Sequence, residues 1–247
     1  MVLGIDYSTF VRRVLHTIFP VACGSCGVLL HDDPIPFFCR ACWNAVTPLR
    51  GPSCPSCGQP FKSPVALQHS PQHRCGRCRR RPPYFSRAWS LYSYVPPLQD
   101  AIRLFKYQKK VALADALADL LHHALPDMPA IDAVVPVPLH ASRLREREYN
   151  QSLLLADRLC RRRGLALSFD NLARTRATPP QTELTRAQRM VNLRGAFTVL
   201  RPQEFTQQRL LLMDDVLTTG ATVNECAKVL RKAGASDVYV LTLARTG

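Results

Sequence analysis

Leu210-Leu211-Leu212-Met213-Asp214-Asp215-Val216-Leu217-Thr218-Thr219-Gly220-Ala221-Thr222 decides the fold, and it runs on into an amphipathic segment closed by Gly234. A short, unbroken apolar run is the pattern of a strand buried on both faces of a parallel sheet. Val238 to Leu243 is a second such run after the amphipathic segment, so the sequence predicts a βαβ unit. Thr222 with Glu225 three residues on reads as a capping box, and Val223, Cys226, Ala227 and Leu230 recur at helical spacing. The outward N–H groups of a loop that opens a helix, the helix dipole and the hydroxyls of Thr218, Thr219 and Thr222 together make a phosphate cradle. Gly220 lets the backbone approach a ligand closely.

Asp214 and Asp215 are adjacent acids at the end of this strand and repel each other. A polyol or a hydrated metal would satisfy them. Beside a phosphate cradle, paired acids that accept hydroxyl hydrogen bonds point to a ribose 5-phosphate ligand. Residues 211–222 resemble the phosphoribosyl pyrophosphate (PRPP) signature of type I phosphoribosyltransferases. The resemblance implies that Asp214 and Asp215 hold the ribose hydroxyls. It also implies that Thr218, Thr219, Gly220, Ala221 and Thr222 hold the 5-phosphate. An Asp-Asp turn before an ordinary capped helix accounts for less of the spacing.

The 247 residues suffice for one sizeable core and a small appendage, and 47% hydrophobic content is that of a folded chain. The net charge of +15, carried mostly by arginine, exceeds what solubility needs and points to a polyanion such as nucleic acid. No stretch has the apolar length of a bilayer span, so a cytoplasmic protein is expected. Phe10, Val11, Val14, Leu15, Ile18 and Phe19 share one helical face and are expected to pack on the protein.

Eight cysteines fall in four C-x2-C pairs: Cys23/Cys26, Cys39/Cys42, Cys54/Cys57 and Cys75/Cys78. Two such pairs give a tetrahedral Zn²⁺ four thiolates with no open position, hence two structural sites. Zinc is preferred to iron–sulfur ligation, and to a disulfide framework because the pairs are poorly placed for long cross-links. Spacing leaves open whether the pairs combine sequentially or interleave. Gly24, Gly27, Gly58 and Gly76 are expected to permit the tight ligand turns, while His31, His69 and His73 are expected at the surface. Arg74, Arg77, Arg79, Arg80 and Arg81 surround the last pair as a basic ribbon suited to a phosphate backbone. Pro82-Pro83 marks a hinge, giving a head over 1–83 and a second domain over 84–247.

In the second domain, Ala88 to Tyr94 and Ile131 to Val137 read as strands. Pro96 to Tyr107, a segment around Leu113 to Ala124, and one run that starts at Arg143 to Arg147 and continues through Asn150 to Arg163 read as helices. Leu172 to Phe197 is the least regular part, and a long polar loop inside a compact domain is usually functional.

The four C-x2-C pairs, Lys106-Tyr107, Pro136-Val137-Pro138-Leu139-His140, Arg143 to Gln151, Thr178-Pro179-Pro180-Gln181 and Asn192-Leu193-Arg194-Gly195-Ala196-Phe197, taken with the PRPP loop, resemble the ComF family over nearly the whole chain. That resemblance implies a zinc-ribbon head joined to a phosphoribosyltransferase-like α/β domain with a central parallel sheet of about five strands, and a bacterial role in DNA uptake and natural transformation. By the transferase resemblance, Pro138 and Arg143 belong to the loop that holds the pyrophosphate of PRPP, and the segment after Leu172 to a loop that closes over it. Where the family has Arg-Gly before an aromatic-Asn-Gln triplet, this chain has Glu148 before Tyr149-Asn150-Gln151.

The expectation is a PRPP–Mg²⁺ site that also works beside single-stranded DNA. As an enzyme, the protein would transfer phosphoribose to an amine or base nitrogen, in DNA uptake or nucleotide salvage. DNA-uptake helicases or recombination proteins are the partners such a role implies. The competing expectation is a non-catalytic DNA-handling module whose PRPP site is regulatory or vestigial, with Tyr84, Phe85 and Trp89 as base-stacking candidates.

Overall fold

The computed structural model describes residues 20–63, 65–68, 70–177 and 193–247. The N-terminal helix expected around Thr9 to Val21 and the Thr178-Pro179-Pro180-Gln181 motif lie, wholly or largely, outside them.

A four-stranded parallel sheet forms the centre, in the order β1 (Arg87–Ser93), β6 (Asp237–Arg245), β5 (Arg209–Leu217), β2 (Ala133–Pro136). The apolar run Leu210 to Met213 lies in β5 and is wholly buried. Its alternation sends Leu211 and Met213 into one apolar layer and Leu210 and Leu212 into the other, because successive strand side chains leave on opposite faces. The first layer holds α3 (Leu98–Tyr107), α4 (Leu113–His123) and α6 (Gln151–Arg163); the second holds α7 (Ala221–Lys232). The expected fifth strand is reduced to an edge fragment: Val134 bridges Leu167, with Val134 N–H donating to Ala166 O at 2.8 Å and Ser168 N–H donating to Val134 O at 2.9 Å. A separate antiparallel ribbon, β3 (Leu172–Arg174) with β4 (Phe197–Val199), brackets the segment expected to be irregular.

Helix α3 buries Leu98, Ala101, Ile102 and Phe105, the i, i+3, i+4, i+7 stripe of a helix seated on a core. Helix α6 begins at Asn150, whose side chain accepts from the Ser152 and Leu153 amides, and stops at Gly164 with φ 64°. The cysteine-rich head covers the open edge of β1. Leu49 N–H donates to Leu91 O at 2.7 Å and Ala88 N–H to Ser56 O at 2.8 Å, so that edge is not left to pair with another chain. Two short helices, α1 (Arg40–Asn44) and α2 (Gly76–Arg80), each carry cysteines of the head. Of the four glycines expected to bend ligand turns, Gly27 and Gly58 have positive φ. Gly24 is needed for space: a Cβ there would lie 2.5 Å from Leu104 Cδ1 on α3.

Helix α5 (Ala141–Arg147) ends on Glu148 in the left-handed region, φ 69°, where glycine is at ease and a side chain is strained. Glu148 pairs with the exposed Lys109. An exposed pair contributes less than about 1 kcal/mol, while a left-handed non-glycine residue costs about 1–2 kcal/mol. Glu148→Gly is therefore expected to stabilise the protein by up to about 1 kcal/mol in urea denaturation; a loss of stability would mean that the Lys109 pair outweighs the strain.

Candidate functional site

Strand β2 ends at Pro136, opposite Met213, but β5 continues through Asp214, Asp215, Val216 and Leu217. The acids thus lie within the strand rather than after it, beyond the point where the neighbour on that side stops. The Asp215 N–H, which faces that side, is taken instead by Asp214 Oδ1 at 2.9 Å. A crevice opens there at the carboxyl ends of the strands, the usual ligand position in open α/β sheets.

The crevice holds about 420 Å³ and is lined by Lys106, Pro138, Arg143, Gln151, Ser152, Arg174, Asp214, Asp215, Thr218 and Thr222, with Tyr94, Tyr107, His140 and Arg147 among the rest. Alternation along β5 sends the two acids to different partners. Asp215 Oδ2 meets Lys106 Nζ at 2.7 Å, and Asp214 Oδ1 accepts from Ser152 Oγ at 2.9 Å. Burial, and then the charge of Asp215, raise the Asp214 carboxyl to about 7 despite Lys106 and Ser152. Burial alone would depress the Lys106 ammonium, but Asp215, with Asp214 behind it, more than offsets that and raises it. Lys106 is thus the cation in direct contact with the pair, while Arg143, Arg147 and Arg174 line the same crevice. Gln151 is 2% exposed, and among the described residues its Nε2 donates to nothing. A buried amide donor without an acceptor, in the wall of a crevice that also holds two acids, suits a ligand that offers both hydroxyls and anionic oxygens.

The expected phosphate loop divides. Thr218 and Thr222 line the crevice, whereas Thr219, Gly220 and Ala221 line a second cavity of about 350 Å³ with Arg77, Arg81 and Tyr84. The capping box is not formed. Gly220, φ 78°, caps α7, Thr222 is the second helical residue, and Glu225 accepts the Gly195 amide at 3.0 Å instead. Tertiary contact outcompetes the local cap. Arg143 pairs with Glu146 at 3.1 Å, and Arg147 stacks on Tyr107 at 5.0 Å.

Lys106 and Gln151, quoted above only as parts of family motifs, and Ser152 and Arg174 are functional candidates to which the sequence reading assigned no role. Lys106 carries a signal nonetheless, standing four residues after Ile102 on the buried stripe of α3, where a lysine needs a buried partner. Gln151 carries only its place in the Tyr149-Asn150-Gln151 triplet, and Ser152 and Arg174 carry none, because their neighbours in the site come from distant segments.

The cysteines combine sequentially, Cys23, Cys26, Cys39 and Cys42 in one set and Cys54, Cys57, Cys75 and Cys78 in the other, with all sulfurs of a set within 4.8 Å of one another. Cys26 and Cys39, and Cys57 and Cys75, approach to 3.7 Å. A tetrahedron of roughly 2.3 Å Zn–S bonds has edges of about 3.8 Å. Amides donate to sulfur as thiolate sites require, Cys39 N–H to Cys23 Sγ at 3.5 Å and Cys75 N–H to Cys54 Sγ at 3.3 Å. Against the effect of burial, such amides bring the Cys23 thiol down to about 6, while burial and its neighbours push Cys42 up to about 12. Four thiols that cannot all ionise together call for a dication, and the donor set fits structural zinc.

A zinc-ribbon head on a parallel α/β domain, with a crevice at the carboxyl ends of its strands, is the class that fold and site define. The double zinc ribbon domain matches residues 14–80. The "DNA utilization protein YhgH" of Salmonella typhi is 36% identical over 84% of this chain and 90% of its own length, and the "Competence protein F" of Haemophilus influenzae is 34% identical with the same coverage. The chain belongs to the ComF family. Among solved structures, an adenine phosphoribosyltransferase from Leishmania tarentolae is 14% identical over 57% of this chain and 74% of its own, with a TM-score of 0.37, a likeness too weak to argue from. Among the described residues no helix is long and apolar enough to cross a membrane.

Asp214 sets a pH dependence with a definite sign. Its folded value of about 7 lies above the ordinary 3.8, so the folded chain holds the proton more tightly than the unfolded one, and this group lowers stability as pH rises from about 4 to about 7. In urea denaturation of the ligand-free protein, Asp214→Asn is expected to be more stable than wild type at about pH 8 and less so by comparison at about pH 5. Parallel curves for the two proteins would remove Asp214 as the source.

Proposed function

We propose that this protein binds PRPP with Mg²⁺ in the crevice at the end of β5 and transfers its phosphoribosyl group to a nitrogen acceptor, in the DNA-utilisation and competence setting that its relatives' names describe. The observation that carries this reading is the meeting of Asp214, Asp215, Lys106, Thr218 and Thr222 in one crevice, with Gln151 in its wall. The hydroxyls of Thr218 and Thr222 and the start of α7 receive the 5-phosphate. Asp214 and Asp215 accept from the ribose hydroxyls, and Lys106 fixes the direction of Asp215. Pro138 and Arg143 face the pyrophosphate. Mg²⁺ suits an oxygen-rich site of this charge and, when bound, neutralises the departing pyrophosphate. What this chain contributes is positioning and electrostatics around the ribose C1.

A second reading, a DNA-handling module in which PRPP binding is regulatory, is favoured by one observation. Arg74, Arg79, Arg80 and Arg81 are exposed on and around α2, close to the phosphate loop. Such a strip tracks a single strand through its phosphates.

Isothermal titration of the zinc-loaded protein with PRPP and Mg²⁺ is expected to give saturable binding that weakens about 100-fold or more in Asp214→Asn/Asp215→Asn. Binding to single-stranded DNA by the same variant is expected to persist. Wild type that takes no PRPP, or a double variant that binds it unchanged, sinks the PRPP reading; joint loss of PRPP and DNA would mean that one site serves both.

A further inference from the structure

The second cysteine set reaches into the phosphate loop through one side chain. Arg77 stands on α2 between Cys75 and Cys78, and its guanidinium meets the Cys57 sulfur. From there Nη1 donates to Thr219 O at 2.9 Å, across 142 residues of sequence. Thr219, Gly220 and Arg77 all line the outer cavity, on the far side of the loop from the crevice that Thr218 and Thr222 line.

The consequence follows from peptide geometry. In a planar trans peptide the C=O of one residue and the N–H of the next point in opposite directions. A guanidinium that draws the Thr219 carbonyl outward therefore turns the Gly220 N–H away from itself, toward the crevice side. Among the described residues that N–H has no hydrogen-bond acceptor. The opposite orientation would present a carbonyl oxygen to an anion and repel it. Gly220 at φ 78° has the freedom to allow a flip, and within the loop the peptide is spanned by one long hydrogen bond, Ala221 N–H to Thr219 Oγ1 at 3.3 Å.

We propose that Arg77 is a positioning residue: it holds the Thr219–Gly220 peptide in the anion-accepting orientation, and it makes that orientation depend on the second zinc site and not on the first. The dependence is built in by docking. Arg245, 3% exposed, donates from Nη1 to Cys57 O at 3.0 Å and from Nη2 to Gln59 Oε1 at 2.6 Å. Gly58 lies so close to Ala88 O that a Cβ would approach it to 2.6 Å. Tyr84 N–H donates to Asn224 Oδ1 on α7 at 2.8 Å. The second set of cysteine loops, the end of β6 and the start of α7 thus form one block, with Arg77 at its centre. The first set touches α3 instead, through Gly24 against Leu104. Metal loss at the second site removes the tie between the loop of Cys54 and Cys57, which is docked on the sheet, and the segment of Cys75 and Cys78 that carries Arg77.

The functional weight of this assignment rests on the PRPP reading, but its structural content does not, and the test separates them. Zinc-loaded full-length wild type, Arg77→Ala, Arg77→Lys and the first-site pair Cys39→Ser/Cys42→Ser are compared by zinc content, amide hydrogen exchange over 217–223, and titration with PRPP–Mg²⁺. Arg77→Ala is expected to keep its zinc at both sites, to exchange the loop amides about tenfold faster and to bind PRPP about tenfold more weakly, the loss of one well-made hydrogen bond. Arg77→Lys, which restores a donor, is expected to recover part of both. The first-site variant is expected to leave loop exchange at the wild-type rate. Unchanged loop exchange in a zinc-replete Arg77→Ala protein, or equal loosening of the loop by the first-site variant, overturns the proposal. Wild type that binds no PRPP overturns the functional reading alone, since hydrogen exchange still decides what Arg77 does; if Arg77→Ala fails to fold, the same measurement on Arg77→Lys and Arg77→Gln decides it.

Discussion

Strand β5 is covered on both faces and on both edges as far as Met213, and on one edge only thereafter. Everything at the site follows from that change. Up to Met213 each residue answers to a sheet neighbour and an apolar layer, so only leucine and methionine fit. Past it, on the β2 side, backbone groups lose their ladder partners and must find others. An aspartate supplies the first acceptor from its own side chain. The chain is also free to turn there, and Thr218 to Gly220 bring it round into α7, whose first residues lie beside the same crevice. The acids and the phosphate loop are neighbours because a strand outruns its partner.

The acid pair would be costly in that position without Lys106. Two carboxylates side by side in a half-dry crevice favour one proton between them, and the raised Asp214 carboxyl expresses this. Lys106 reaches Asp215 from the last turn of α3, so the helix that builds most of the first apolar layer also supplies the one ammonium of the site. Core packing and site electrostatics are therefore coupled. A shift of α3 that moved Phe105 would move the lysine next to it.

How much of this could be read from sequence depended on how local each cause is. The strands β5 and β6 and the helix between them were legible, because an unbroken apolar run and a 3.6-residue stripe lie within a few residues of themselves. The C-x2-C grammar was legible as zinc, but spacing alone did not choose between sequential and interleaved pairing; that choice depends on where the head folds against β1 and α3. The capping box failed for the same reason, since Glu225 has a better acceptor's role at the Gly195 amide, 30 residues away. Lys106 was written in the stripe of α3 as a charge where an apolar residue belongs. Arg77 was hidden: in sequence it is one of five arginines around the last cysteine pair, and only the fold separates it from the exposed four.

That separation bears on the net charge of +15 as well. Taken as a total, it argues for a polyanion; taken residue by residue, much of it is already engaged. Arg158 and Arg162 pair with Asp115 and Asp119 on α4, Arg161 pairs with Asp157, Arg201 with Asp170, Arg209 with Asp132, and Arg245 is buried against the head. These pairs hold helices and loops to the sheet at little net gain each. Around the last cysteine pair, Arg74 and Arg79 to Arg81 stay exposed, at the edge of the block that docks on the start of α7. A polyanion drawn to that strip would arrive beside the outer cavity that Arg77 and Arg81 line, because Arg79 and Arg80 stand on the same short helix as Arg77.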